Sequence, residues 1–320
     1  MRFLFFLTIL LIVGCTNHSE KLTPQYIRQK FGDFSGDDKI KTLPVDVSKT
    51  PIQKKINHHP EQFTYLDEVE ISHMIYNSDS LMVTGFLVTP REEGRYPVII
   101  YNRGGNRDLG QLLVGHAVEI FARLASQGFV VAASNYRGNS GSEGMEEFGG
   151  ADVTDIPNLI YALDQVQKAD TENVGLFGLS RGGMMTYLFL KEYGDMNGRI
   201  KCAVNIGGIT DLKTTIQYHP EIREVCVDLI PGFEANEKNV LKDRSAIHWT
   251  QKLPDIPLLI LHGTEDQHVD YSQIPPFADS LSKYQKPYKL LSYEGENHGI
   301  VGKKEEVMTE VINWMGEYLK

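Results

Sequence analysis

From Pro97 onward the chain alternates short, largely apolar runs with segments of helical period, and this alternation limits its fold more than any other feature. Pro97–Tyr101, Phe129–Ala133, Val174–Phe177, Cys202–Ile206, Pro257–Leu261 and Tyr288–Ser292 read as strands, because runs of this kind suit strands buried on both faces. Between them lie helical patterns over roughly 109–126, 153–168, 182–193, 273–285 and 304–318. The sequence therefore predicts an α/β fold, a mostly parallel central sheet with helices on both faces. Upstream, Glu68–Tyr76 and Leu81–Val88 flank the turn composition Asn77-Ser78-Asp79-Ser80, which predicts an N-terminal antiparallel hairpin. Residues 210–250 break the rhythm and read as an insertion over the sheet. Its Tyr218, Phe233 and Trp249 are candidates for pocket walls or for core packing.

Gly178-Leu179-Ser180-Arg181-Gly182 follows the third of these strands and opens a helix, the context of a nucleophile elbow. The serine there must occupy a strained turn, and side chains at 178 or 182 would collide with neighbouring elements. In such a fold an acid and then a histidine follow the serine along the chain. His262-Gly263-Thr264-Glu265-Asp266 follows one late strand, and Glu294-Gly295-Glu296-Asn297-His298-Gly299 follows the last. Both lie at carboxyl ends of parallel strands, where open α/β sheets bind ligands. The expected triad is Ser180, Asp266 and His298, with Glu265 and Asp270 as competitors for the acid. A metal cluster of His262, Asp266 and His268 is conceivable by residue type, but the elbow already accounts for the aspartate. For an oxyanion hole, one N–H is expected from Arg181 and the second from the loop Asn102-Arg103-Gly104-Gly105-Asn106. This chemistry calls for no metal or organic cofactor.

The N-terminus carries a different signal. Arg2 precedes the apolar run Phe3–Val13, which matches a signal-peptide core and is shorter than the about 20 residues a membrane-spanning helix needs. It ends in Ile12-Val13-Gly14-Cys15, which resembles the lipobox of bacterial lipoproteins. That resemblance implies that 1–14 are a signal peptide and that Cys15 carries the lipid. The implied location is the cell envelope, with the membrane as a partner through the anchor; an ordinary signal peptide with a chance cysteine is the alternative. Residues 15–65 then read as a tether and N-terminal extension, and 66–320 as the catalytic domain. Cys202 and Cys226 remain, and their spacing leaves open whether they pair. A net charge of −10 leaves no basic excess to neutralise phosphates, which argues against a nucleic-acid partner. A hydrophobic fraction of 41% with 23% charged residues excludes a disordered chain.

Several segments together resemble the α/β-hydrolase catalytic domain of the prolyl oligopeptidase family of serine peptidases. They are Tyr101–Gly105, Asn135-Tyr136-Arg137-Gly138-Asn139-Ser140-Gly141, Gly178–Thr186, His262–Asp266 and Gly295–Gly299. The resemblance implies a serine-type peptidase acting on short peptides, with Ser180, Asp266 and His298 in the triad roles. Two departures stand out. The residues before the hairpin are too few for the β-propeller of the family's larger members, and Arg103 stands where the family usually places His-Gly-Gly or a tyrosine. Arg103 is expected either to donate to the oxyanion or to grip a substrate carboxylate. A carboxylesterase or deacetylase on small esters or acylated glycans is the second reading, and a non-catalytic binding lipoprotein the third.

Overall fold

The computed structural model describes residues 23–320. Nine strands form one sheet: β1 (Ile40–Pro44), β2 (Val69–Ser78), β3 (Leu81–Pro90), β4 (Tyr96–Asn102), β5 (Val130–Ser134), β6 (Ala169–Leu179), β7 (Ile200–Ile206), β8 (Leu258–Gly263) and β9 (Tyr288–Tyr293). Their spatial order is β1-β2-β3-β5-β4-β6-β7-β8-β9. The first three strands and the β3–β5 pair run antiparallel, and every pairing from β5 to β9 is parallel. This is the mostly parallel α/β sheet that the alternation predicts, in the α/β-hydrolase arrangement that the family resemblance implies.

The hairpin is tight because Asp79 and Ser80 both adopt left-handed backbone (φ 52° and 67°), the twist a two-residue connection between right-twisted strands demands. Asn77 Oδ1 accepts the Ser80 N–H at 3.0 Å and holds the turn. The central strands β4, β5 and β7 are largely apolar because both faces are covered. One face packs on the helices Asp155–Leu163, Arg181–Tyr193 and Ile274–Lys283, the other on Val114–Ala125 and Lys304–Leu319.

The extension upstream of the hairpin is folded onto this sheet. Pro24–Phe31 is a helix, capped by the Thr23 hydroxyl, that buries Ile27 against Ile75 and Met82. Strand β1 adds itself to β2 as the outer edge. Pro44 is tolerated there because an edge position needs no ladder N–H on its outer side. Cys15 and the segment 1–14 lie outside the described residues. Cys202 and Cys226 are both buried free thiols; Cys202 faces Met315, with the sulfurs 3.7 Å apart. Among the described residues no helix is long and apolar enough to cross a membrane.

The insertion contributes the helices Leu212–Tyr218, Glu221–Leu229 and Phe233–Asp243. Phe233 and Trp249 are core residues, 2% and 4% exposed, whereas Tyr218 is exposed. Of the three candidate walls, only Tyr218 is open to solvent.

Candidate active site

Ser180 sits between β6 and its following helix with φ 58° and ψ −123°. An L-residue is held in that region only by its surroundings, at a cost of about 1–3 kcal/mol. The surroundings are tight. A Cβ at position 182 would lie 1.8 Å from the Asn102 carbonyl oxygen, and one at 178 would lie 2.4 Å from Asn205 Oδ1. The Ser180 N–H donates to the Ile206 carbonyl at 2.9 Å, so the turn is fastened to the end of β7.

Gly207, the residue just after β7, lies under the His298 imidazole. A Cβ there would be 2.9 Å from Nδ1 and 3.0 Å from Cε1. Serine and histidine therefore flank the same strand end. His298 Nδ1 donates to Asp266 Oδ2 at 2.7 Å, which leaves Nε2 as the free nitrogen. Asp266 is fully enclosed. Its Oδ1 accepts the N–H groups of His268 and Val269 at 2.8 and 2.9 Å. Burial works to raise its pKa, but hydrogen bonds from His262 and His298 and the nearby positive potential outweigh it. The carboxyl is held well below the usual range. The competitors serve elsewhere: Glu265 is exposed, and Asp270 caps the turn Tyr271–Gln273 through the Ser272 N–H and hydroxyl.

The acid and base loops are pressed together. Thr264 N–H donates to the Tyr293 carbonyl and Glu265 N–H to the Glu296 carbonyl, both at 3.0 Å. Gly263 is required because a Cβ there would meet the Glu296 oxygen at 2.2 Å. His262 is a partner that sequence reasoning did not assign. Its ring is buried, Nε2 donates to the Val269 carbonyl at 2.8 Å, and Asp266 Oδ2 lies 3.1 Å from the same nitrogen. A histidine at a strand end four residues before the acid was the available signal. His268, weighed as a metal ligand with it, stacks edge-on against His298 with ring centres 5.1 Å apart.

The loop after β4 folds back over the elbow. A Cβ on Gly104 would lie 3.1 Å from the Ser180 Cβ, which puts this backbone beside the nucleophile. Gly105 has φ 68° and packs against the Leu109 carbonyl. The Arg103 guanidinium is turned inward and the residue is 1% exposed. Nε donates to the Asn135 carbonyl at 2.9 Å and Nη1 to those of Gly104 and Leu109 at 3.0 and 3.4 Å. These bonds brace the loop, and Arg103 Nη2 is buried without a hydrogen-bond partner. The loop continues into the wall of a cleft of about 450 Å³, shared by Arg107, Met145, Glu147, Asp228 and Pro231.

The Asn135–Gly141 segment acquires a structural reason here. Tyr136, at φ 63°, lies between the guanidinium groups of Arg103 and Arg181, each 5.4 Å from its ring centre. Asn135 Oδ1 accepts the Leu112 N–H at 3.0 Å. Arg137 pairs with buried Asp155 at 2.8 Å, tying this segment to the hairpin side of the sheet.

A strained serine on an elbow, a histidine at the neighbouring strand end and a buried aspartate behind it define a site of the serine-hydrolase class. Residues 117–320 match the model of the prolyl oligopeptidase family, described as Peptidase_S9. The uncharacterized peptidase YtmA of Bacillus subtilis (strain 168) is 30% identical over 248 residues, 77% of this chain and 93% of YtmA. The uncharacterized peptidase YuxL of the same organism is 29% identical over 75% of this chain but only 36% of its own length. Among solved structures, an acylaminoacyl peptidase of Pyrococcus horikoshii superposes with a TM-score of 0.65 at 21% identity, over 82% of this chain and 44% of that one. This chain thus spans nearly all of YtmA and less than half of the other two. It belongs to the prolyl oligopeptidase family and is a serine hydrolase of that family's peptidase type.

Proposed function

We propose that this protein cleaves short peptides by acyl transfer through Ser180, with His298 as general base and Asp266 orienting it. The observation that carries the reading is the 2.7 Å hydrogen bond from His298 Nδ1 to a wholly buried Asp266, on loops fastened beside the Ser180 turn. His298 Nε2 takes the Ser180 proton as Oγ attacks the scissile carbonyl, then returns it to the leaving amine. Asp266 fixes the tautomer and stabilises the imidazolium, and its depressed pKa keeps it ionised throughout. The Arg181 N–H, at the start of the elbow helix, and an N–H of the Gly104–Gly105 loop stabilise the tetrahedral oxyanion. Each such donor is worth about 2.7–4 kcal/mol. The kinship with YtmA, an uncharacterized peptidase of which 93% is matched, supports the same reading.

The test compares Ser180-dependent turnover of aminoacyl- and dipeptidyl-p-nitroanilides with that of p-nitrophenyl acetate. Anilide turnover that disappears in Ser180→Ala is expected. Ester turnover without any anilide turnover would replace the peptidase reading with the esterase one. We further propose that the chain is exported and lipid-anchored at Cys15; incorporation of an alkyne-tagged fatty acid, lost in Cys15→Ser, would bear this out. Equal incorporation in both would refute it.

A further inference from the structure

We infer that the side chain of Arg181 is the positioning residue of the oxyanion hole, holding the loop that carries the second donor in register with the first. This rests on the triad reading above, in which the Arg181 backbone supplies one donor. Its guanidinium is enclosed, at 2% exposure, and reaches three loops at once. Nη1 donates to the Gly105 carbonyl at 3.0 Å and pairs with Glu146, while Nη2 pairs with Asp152. Each carboxylate passes the restraint on. Glu146 Oε2 accepts the Arg107 N–H at 2.8 Å, and Asp152 Oδ1 accepts those of Gly149 and Gly150 at 3.0 and 2.8 Å.

The peptide geometry explains what this achieves. In a planar trans peptide the C=O and N–H point in opposite directions. The Gly104 carbonyl is taken by Arg103 and the Gly105 carbonyl by Arg181, so the N–H groups of Gly105 and Asn106 are turned away from the guanidinium pair. A Cβ built on Gly104 would fall 3.1 Å from the Ser180 Cβ, so this peptide runs beside the nucleophile. The residue that presents the first donor through its backbone therefore sets, through its side chain, the direction of the second. One rigid link joins the two halves of the hole.

Stability does not account for this arrangement. Burying a guanidinium with two carboxylates carries desolvation costs that a well-packed apolar cluster would avoid. Both carboxylates are nearly sealed from water, at 3% and 0% exposure. What an apolar cluster cannot do is fix carbonyl directions, because it forms no directional bonds.

The experiment uses the full chain with the isosteric Glu146→Gln, together with Arg181→Met and Arg181→Lys. Each is measured for kcat, KM, melting temperature and the Ki of a peptidyl trifluoromethyl ketone, which forms a tetrahedral oxyanion on the serine. A misdirected donor is expected to lower kcat by about tenfold to a hundredfold. KM should stay within about threefold, and Ki should rise by the factor by which kcat/KM falls. Arg181→Lys should recover part of the loss, since an ammonium still donates to the Gly105 carbonyl. Glu146→Gln decides even where Arg181→Met does not fold. A folded Glu146→Gln with kcat within twofold of wild type, or a kcat loss without a matching rise in Ki, overturns the inference alone. Wild-type protein without Ser180-dependent turnover overturns the catalytic reading and this inference with it.

Discussion

Replacing Gly207 by alanine perturbs the proposed base without altering a triad residue. The added methyl group would lie 2.9 Å from His298 Nδ1, where ordinary contact begins at 3.4 Å, so the imidazole must retreat by roughly 0.5 Å. That movement comes directly out of the 2.7 Å bond to Asp266. Misplacement by about 1 Å can cost about a hundredfold in rate, so kcat should fall about tenfold with KM little changed. Alanine at φ 54° also costs about 1–2 kcal/mol of stability, a drop of roughly 2–8 °C in Tm. Gly198→Ala separates the two effects. That glycine has φ 81°, and an added methyl group would meet nothing within 4 Å. It should lose similar stability and keep its kcat. The assay is steady-state hydrolysis of p-nitrophenyl acetate, with melting followed by circular dichroism. Equal kcat values in the two variants would refute the placement of His298 over Gly207.

Other substitutions probe the supports of the site. His262→Phe keeps the bulk of a buried ring but leaves the Val269 carbonyl without its donor and Asp266 Oδ2 with His298 alone. A buried acceptor left unsatisfied costs about 1–3 kcal/mol, so the denaturation midpoint should fall, and an unchanged midpoint would contradict the assignment. His116 accepts the Leu113 N–H through Nδ1 at 3.0 Å, and burial holds its pKa below the ordinary 6.5. The unfolded chain takes up a proton below that pH and the folded one resists it. The stabilisation is therefore complete above about pH 6.5 and is lost as pH falls towards the depressed value. The stability advantage of wild type over His116→Gln should shrink between pH 7.5 and 5.5; a gap independent of pH would contradict this.

How much of this was legible in the sequence depended on how the residues earn their place. The strands at Val98–Tyr101, Val130–Ala133 and Cys202–Ile206 announce themselves because both faces are buried and the composition is apolar throughout. Strand β1 carries no such mark: at the sheet edge its burial is slight and its pattern does not alternate. Strand β6 starts at Ala169, ahead of the apolar run, because the polar residues Asp170 and Asn173 lie at its outer end. The helix expected from 109 begins at Val114, since positive φ at Gly105 and Gly110 folds the intervening chain back on the elbow. The placement of Ser180, Asp266 and His298 beyond strand ends could be read from position alone because β6, β8 and β9 end just before them. The inward turn of Arg103 and the clamp of Arg181 could not, because both depend on carbonyls contributed by loops distant in sequence.

The central claim is that Ser180 is made reactive by His298 and Asp266. Mass spectrometry after treatment with a fluorophosphonate probe tests it most directly. The adduct should fall on the peptide containing Ser180, vanish in Ser180→Ala, and form more slowly by about a thousandfold or more in His298→Gln and Asp266→Asn. A folded wild-type protein that takes no label, or takes it on another residue, would contradict the account.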